Sequence, residues 1–530
     1  MKKRNLFIAP LLGVTMAVLQ TACCNSDKNS DLKAYYEGVP FEITPLARPQ
    51  IPSTIYCISD FGAIGDGTTD NTEAINRAIR TASENGGGRV IIPEGVWYTG
   101  PIALQSNVDL HTEYNALVVF NSDPKAYPII ETSFEGLNAR RCTSPISARQ
   151  AENIALTGHG VFDGSGDDWR YVKREKMTDA QWASLLAKGG ILNPQKTIWY
   201  PSEESYRGHQ VSDKFNNPQN LTKDEEWESI RQWLRPVMVS FIDCKNVLIE
   251  DVTVRNTPCW ALHPLSCENI IIKNVKVFNP WYSQNGDALD LESCNNALII
   301  ENLFDAGDDG ICVKSGKDKD GRDRNQPCQN VVIRDNAVLH AHGGFVVGSE
   351  MSGGVKNVFV ANCTFTGTDV GLRFKSTRGR GGVVENIYIQ DINMCNIPTE
   401  ALLFDLHYNG KSAVENLGRV EEEETEIPAV TEETPAFRNI HIKDVTCRNA
   451  RRAMYFNGLP EMNIQNVTVE NVTVTSKIGV EVKHTDGVTF TDNRITVQEG
   501  PVMTFKHAKN ITVDGDKIID TDKHPVFVTK

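Results

Sequence analysis

From residue 153 onward the chain repeats one phrase: an asparagine, a short run of alternating apolar and polar residues, then a second short run. It reads NIALTGHGVFDG from Asn153, NVLIEDVTVRN from Asn246, NIIIKNVKVFN from Asn269 and NALIIENLFDAG from Asn296. It returns as NVVIRDNAVLHA from Asn330, NVFVANCTFTG from Asn357 and NIYIQDINMCN from Asn386, with further copies at Asn439, Asn466 and Asn510. Alternation with period two predicts strands, because successive side chains of a strand point to opposite faces. Between Asn246 and Asn386 the copies lie 23 to 34 residues apart. That is shorter than a propeller blade, which needs roughly 40 residues. The expected fold class is therefore all-β: a single-stranded right-handed parallel β-helix, a solenoid whose coils stack to bury a face that none can bury alone. Asparagine at a fixed turn position fits, since it tolerates left-handed backbone and can bond to its neighbours in a ladder.

Two stretches break the period. Residues 165–235 carry helix-like sequence (DAQWASLLAKGG, KDEEWESIRQWL), and residues 408–435 carry an acidic run, EEEETEIPAVTEET. Both are expected as loop insertions on one face of the solenoid, the acidic run as a solvated loop. TDNTEAINRAIRTASENGGG, from Thr69, predicts a helix capped by Thr69 or Asp70 that covers the open N-terminal end of the rod. The chain starts with Lys2, Lys3 and Arg4, an apolar stretch from Leu6 to Leu19, and Thr21-Ala22-Cys23. This reads as a bacterial export segment, residues 1–23, with Cys23 as the lipid-bearing residue of a lipoprotein. Residues 24–54 are expected as a tether and N-terminal segment, and 55–530 as the β-helix domain. The protein is thus expected in the periplasm or as an outer-membrane or cell-surface lipoprotein, and as a monomer.

Composition narrows the function. With 68 acidic against 54 basic side chains the formal charge is −14, which argues against a nucleic-acid partner. The chain has 13 cysteines, of which Cys23 and Cys24 lie at the cleavage site. The other eleven are dispersed without a CxxC pair, so no zinc site is expected, and their disulfide pairing stays open.

Chemistry enters where four strands share a pattern ending in serine: DALDLES (287–293), DDGICVKS (308–315), HGGFVVGS (342–349) and DVGLRFKS (369–376). Aligned on the serine, Leu289, Ile311, Phe345 and Leu372 fall in one column, and Leu291, Val313, Val347 and Phe374 in another. Both should point inward. Asp290, Cys312, Val346 and Arg373 share an outward column, as do Glu292, Lys314, Gly348 and Lys375. Asp287 is level with Asp309, and Asp308 with His342. Stacked carboxylates repel, and one of them should hold its proton more tightly. One raised and one ionised carboxylate is the pairing that glycoside hydrolysis uses.

The ordered set NGD (285–287), GDDG (307–310), HGG (342–344) and RFK (373–375) resembles glycoside hydrolase family 28, the polygalacturonase family, whose marks are NTD, a DD pair, GHG and RIK. DFGAIGDGTTDNTEAINRAI (60–79) is similar to the N-terminal segment of bacterial pectinase-like β-helices. Gly286 replaces the family's threonine and Phe374 its isoleucine; the first departure is expected to mark a substrate subfamily. The resemblance implies an exported enzyme that cleaves α-linked galacturonic acid bonds of pectic polysaccharide with inversion, without cofactor or metal. Asp308 would be the general acid, Asp287 and Asp309 the base and water-holder, and His342 the support of the acid pair. Arg373 and Lys375, with Lys314, would bind the galacturonate carboxylate. Trp260 and His263, from the phrase WALHP, are candidate sugar contacts beside Trp281 and Tyr282. The two insertions would wall one end of the groove and favour exo action. A polysaccharide lyase on the same fold, which would need Ca²⁺, and a non-catalytic glycan-binding β-helix are the alternative readings.

Overall fold

The computed structural model describes residues 29–212, 216–218, 220–418, 426–518, 521 and 526–528. The export segment and Cys23 lie outside the described residues, as do Glu421 to Glu424 of the acidic run. The chain winds as a right-handed parallel β-helix with three parallel faces. The first face stacks Ile146–Arg149, Val239–Ile242, Leu262–Leu265, Leu289–Glu292, Ile311–Lys314, Phe345–Gly348 and Leu372–Lys375. The second runs from Glu152–Gly158 through Lys245–Glu250, Glu268–Lys273 and Asn295–Ile300 to Cys328–Arg334. The third runs from Val161–Asp163 through Thr253–Arg255, Lys276–Phe278 and Leu303–Asp305 to Ala337–Leu339. After residue 383 the corners straighten, and single long strands such as Val383–Asp405 and Ala436–Asn457 turn through several faces.

The expected columns are present residue for residue: Leu289, Ile311, Phe345 and Leu372 are successive partners, as are Leu291, Val313, Val347 and Phe374. The second column continues to Phe404 and Phe456, whose rings stack on Phe374 and on each other at 4.5 and 4.7 Å. The asparagine ladder also forms. Asn153, Asn246, Asn269, Asn296, Asn330 and Asn357 all have left-handed backbone. Asn246 donates to Asn153 at 3.0 Å, Asn269 to Asn246 at 3.0 Å and Asn296 to Asn269 at 2.9 Å. The ladder slips between Asn296 and Asn330, where Asn330 donates to Asn295 instead of Asn296 and leaves the Asn296 carbonyl without a partner. The eleven described cysteines are free thiols. Cys244, Cys267 and Cys294 precede register-matched strands in successive coils and donate their S–H to backbone carbonyls, as small buried hydrophobes do.

The helix Thr72–Glu84 closes the N-terminal end, burying Ile75, Ala78, Ile79 and Ala82 on the solenoid core. Its N-cap is Asn71, not Thr69 or Asp70. The Asn71 side chain is spent on the backbone of Ile64, and Asp70 instead accepts from the Thr72 N–H at 2.9 Å. From residue 29 the segment read as a tether lies docked on the second face. That face carries an outward column that is also apolar: Ala155, Leu248, Ile271, Leu298, Val332 and Phe359. Leu32 and Leu46 cover it, and Arg48 fixes the strap to Glu250 at 2.8 Å.

The 165–235 segment folds as helices Asp179–Ala187, Glu203–Val211 and Asp224–Glu228 around a small antiparallel sheet of Val172–Lys173, Ile191–Leu192 and Ile198–Tyr200. It has an aromatic core of its own, built on Trp169, Tyr171, Tyr200, Trp227 and Trp233. A second excursion, the antiparallel hairpin Ile129–Phe134 and Leu137–Cys142, was not anticipated by the repeat. Both excursions, with the segment after Asp405, rise over the first face.

Candidate active site

The first face supplies the floor and the turns before its strands supply the acids. His342 donates its backbone N–H to the Asp308 carbonyl at 2.8 Å, and Ala288 donates to the Asp309 carbonyl at 3.0 Å. This parallel pairing brings Asp287, Asp308, Asp309 and His342 to one spot. The three carboxylates each place an oxygen within 4.8 Å of the others. Asp308 is the most open, with 23% of its side chain exposed against 4% for Asp287 and 2% for Asp309. A cavity of about 220 Å³ lies over them, lined by Arg373, Lys375, His342 and Lys314 and by wall residues from the excursions.

Each acid faces a different partner. Lys375 Nζ donates to Asp309 Oδ2 at 2.7 Å, and Arg373 lies 3.5 Å from the other Asp309 oxygen. His342 Nδ1 is 2.9 Å from Asp308 Oδ1, while its Nε2 is 3.4 Å from Lys176 Nζ and 3.9 Å from Asp369. Lys314 Nζ is 2.7 Å from Asp290, 3.5 Å from Glu350 and 3.8 Å from Asp287. The acid spacing would suit a divalent cation, but Lys375 and Arg373 already stand against Asp309, and Lys314 lies 3.8 Å from Asp287. Burial, reinforced by Asp290 and Asp308 and opposed by Lys314, raises the Asp287 carboxyl well above the usual range. Burial would raise Asp308 too, but His342, Lys375 and Lys176 outweigh it and hold that carboxyl well below the usual range. Burial raises Asp290 to about 6 despite Lys314. Glu350, buried but surrounded by Lys314, Arg380 and Lys317, is held at about 2.

Three expectations change. Asp290, Cys312 and Val346, expected on an open outward strip, are fully buried because the excursions roof that part of the face. Lys314 is not free to receive a substrate carboxylate, since its ammonium is shared among Asp290, Glu350 and Asp287 and rests 4.0 Å over the Trp260 ring. His263 and Trp260 do not present themselves to a sugar. His263 Nε2 is locked to Glu292 at 2.9 Å, and Glu292 also holds Arg324 at 2.6 Å. Trp260 borders the cavity but is 2% exposed, packed against Phe134 of the hairpin and edge-on to His263. Trp281 remains exposed and Tyr282 reaches toward Asp167. The Gly286 departure has a local cause, because a Cβ there would stand 2.0 Å from Ser283 Oγ, which is engaged with the Pro280 carbonyl.

The structure adds residues that the periodicity does not mark. Glu135 from the hairpin tip accepts from Asn216 Nδ2 at 2.7 Å, and Asn216 and Arg235 both reach Asn285 of the NGD turn, at 3.0 and 2.8 Å. Lys173 from the inserted sheet pairs with Glu415 at 2.6 Å, joining the two insertions across the cavity. Tyr408 lies beside Arg373 and Lys375, with its ring centroid 5.6 and 5.2 Å from them. Glu135, Tyr171, His209 and Asn216 are polar or amphipathic residues in aperiodic sequence, with no pattern to single them out.

Residues 228–443 match the family model for glycosyl hydrolases family 28, and residues 56–140 match the model described as rhamnogalacturonase A/epimerase, pectate lyase-like. The chain is 25% identical over 432 residues to a probable polygalacturonase of Vitis vinifera, covering 78% of this chain and 73% of that one. It is 26% identical over 479 residues to the exo-poly-alpha-D-galacturonosidase of Dickeya chrysanthemi, covering 87% and 74%. The crystal structure of the exopolygalacturonase from Thermotoga maritima superposes with a TM-score of 0.66 at 30% identity, over 94% of this chain and 99% of that one. Fold, ordered acids and these likenesses converge, and the chain belongs to glycosyl hydrolase family 28, a glycosidase built on a right-handed parallel β-helix.

Proposed function

We propose that the protein hydrolyses α-linked galacturonic acid bonds of pectic polysaccharide, acting from a chain end by single displacement with inversion. The observation that carries this reading is the division of labour among three acids: an open Asp308 bonded to His342, opposite a buried pair, Asp287 and Asp309, beside Arg373 and Lys375. Asp308 is the general acid. In the free site its carboxyl sits below the usual range partly through Lys375. A substrate carboxylate that binds Arg373 and Lys375 offsets the Lys375 part of that field and shifts Asp308 toward the protonated form a general acid needs, with His342, which lowers it most, 2.9 Å away. Asp309 is the base and Asp287, with its raised carboxyl, orients the attacking water.

The nearest oxygens of the cluster lie within 4.8 Å, closer than the roughly 6.5–9.5 Å between carboxyl groups of typical inverting pairs. We assign inversion because Asp287 and Asp309, adjacent and buried, each keep an oxygen without a hydrogen-bond partner and can hold one attacking water between them. Proton NMR of the first-formed product tests this: a β-anomer is expected, and an α-anomer overturns it.

Exo action is supported by the Lys173–Glu415 bridge, which joins the two insertions over the site, and by the exo-acting relatives from Dickeya chrysanthemi and Thermotoga maritima. Early digests of polygalacturonate should contain one small product and shortened polymer; a ladder of intermediate oligomers overturns exo action. Export and lipid attachment at Cys23 belong to the same proposal and rest on the N-terminal sequence. Mass spectrometry of the mature protein should find a diacylated or triacylated Cys23, and an unmodified N-terminus elsewhere overturns it.

A further inference from the structure

The inserted segment brings one cation to the catalytic histidine. Lys176 ends the short turn Arg174–Lys176. The Arg174 N–H ties that turn to the Thr197 carbonyl at 2.8 Å, and the Met177 N–H closes it on the Arg174 carbonyl at 3.1 Å. The Arg174 guanidinium adds a bond to the Met177 carbonyl at 2.7 Å. Lys176 is half-buried and makes no ion pair among the described residues. Its ammonium instead meets His342 Nε2 at 3.4 Å.

A charged lysine has N–H donors and no lone pair. The contact therefore uses the lone pair of Nε2, and the hydrogen of the neutral ring lies on Nδ1. Nδ1 is 2.9 Å from Asp308 Oδ1 and donates to it. Burial and Lys173 disfavour the charge on Lys176, while Asp308, Glu415 and Asp369 favour it. A second group competes for the same ring nitrogen. Asp369 Oδ2 stands 3.9 Å from Nε2 and would need a hydrogen there. In that tautomer Nδ1 keeps a lone pair, and a proton on Asp308 would lie on Oδ1, turned to the ring instead of the sugar. Arg373 takes no part in the contest, since it reaches the backbone carbonyl of His342, at 3.5 Å.

We propose that Lys176 is a positioning residue that fixes the tautomer of His342 against Asp369. With Nδ1–H bonded to Oδ1, the proton of the general acid is carried on Oδ2 of Asp308. It passes from Oδ2 to the glycosidic oxygen as the bond from that oxygen to the anomeric carbon breaks. Asp308 is left as a carboxylate that still accepts from Nδ1–H. Lys176 thus belongs to the insertion but serves the floor. The proposal rests on the reading of Asp308 as general acid given above.

Two measurements test it. The first is nitrogen NMR of histidine-labelled protein without substrate, at neutral pH, with the His342 signals identified by their loss in His342→Gln. Wild type should carry the hydrogen on Nδ1, and Lys176→Met should move it toward Nε2. A hydrogen on Nε2 in wild type, or no change in Lys176→Met, overturns the proposal. The second is steady-state kinetics on polygalacturonate. Lys176→Met should lower kcat by roughly tenfold or more at nearly constant KM, a part of the about hundredfold or more that a positioned acid supplies. Lys176→Arg, which keeps a donor for Nε2, should recover most of the loss. Lys176→Met combined with Asp369→Asn should recover some of it, because the competing carboxylate is gone. A raised KM at constant kcat would make Lys176 a substrate contact and overturn the proposal, as would a loss that neither rescue relieves. A wild type inert on polygalacturonate overturns the galacturonide reading, and the NMR result still decides whether Lys176 sets the tautomer.

Discussion

The strands between Leu289 and Lys375 and the segments inserted around them build one site by different means. The strands carry groups that are buried and paired: Lys375 with Asp309, Lys314 with Asp290, His263 with Glu292. The insertions carry groups that are half-exposed and bridge from one excursion to another, such as Lys173 to Glu415. The first region fixes charges where a reaction needs them. The second decides how much of a polymer can enter. A substitution in the floor should therefore cost rate and stability together, whereas one in the walls should alter product size at little cost to either.

The largest effect should come from the acids. Asp308→Asn and Asp287→Asn are each expected to lower kcat by about a thousandfold, within the range for a lost acid–base group, with circular dichroism unchanged. Losses under tenfold would move the chemistry elsewhere. Lys375→Met should come next, because it strands a buried Asp309 carboxylate. Urea unfolding should show a loss of about 3 kcal/mol, typical of breaking a buried ion pair from one side. A neutral result would mean that Arg373 alone suffices to hold Asp309.

Asp290 offers a subtler test of the floor. Its carboxyl is raised by burial to about 6, against about 3.9 in an unfolded chain. The folded state thus binds that proton more tightly. The associated stability is present below pH ~4 and is lost as pH rises through about 6. Asp290→Asn removes the loss, so its urea midpoint relative to wild type should improve between pH 4 and pH 7. A pH-independent difference would place the titration elsewhere. The smallest energetic effect belongs to the walls. Lys173→Ala should change stability by less than ~1 kcal/mol, as for other partly exposed pairs, yet broaden the product sizes from polygalacturonate. Unchanged products would show that the bridge does not set the mode of attack.

The contrast also explains what could be read in advance. In a parallel solenoid the phase of each repeat becomes a spatial column, so Asp308 opposite His342 and Asp290 in line with Arg373 follow from alignment on a serine. Whether a column is open depends on what lies above it. The roof comes from the hairpin 129–142 and the inserted sheet, whose sequences have no period. Lys314 and His263 therefore seemed available when they are buried against Asp290 and Glu292. Arg141, which stacks on Phe134 at 4.0 Å and donates to the Arg235 carbonyl, holds the hairpin in place through contacts that no local pattern announces. The strap over the second face did leave a trace: the runs VLI, III and VVI are apolar on both faces, which marks a sheet covered on both sides.

In the proposed function Asp287, Asp308 and Asp309 form a hydrolytic centre for galacturonides. The most direct measurement follows reducing ends and unsaturated uronate together while the wild-type protein acts on polygalacturonate, with and without chelator. Reducing ends that accumulate without unsaturation, at the same rate in chelator, are the predicted result. Unsaturated product that disappears with chelator would make the same cluster a metal-dependent lyase site and contradict the claim.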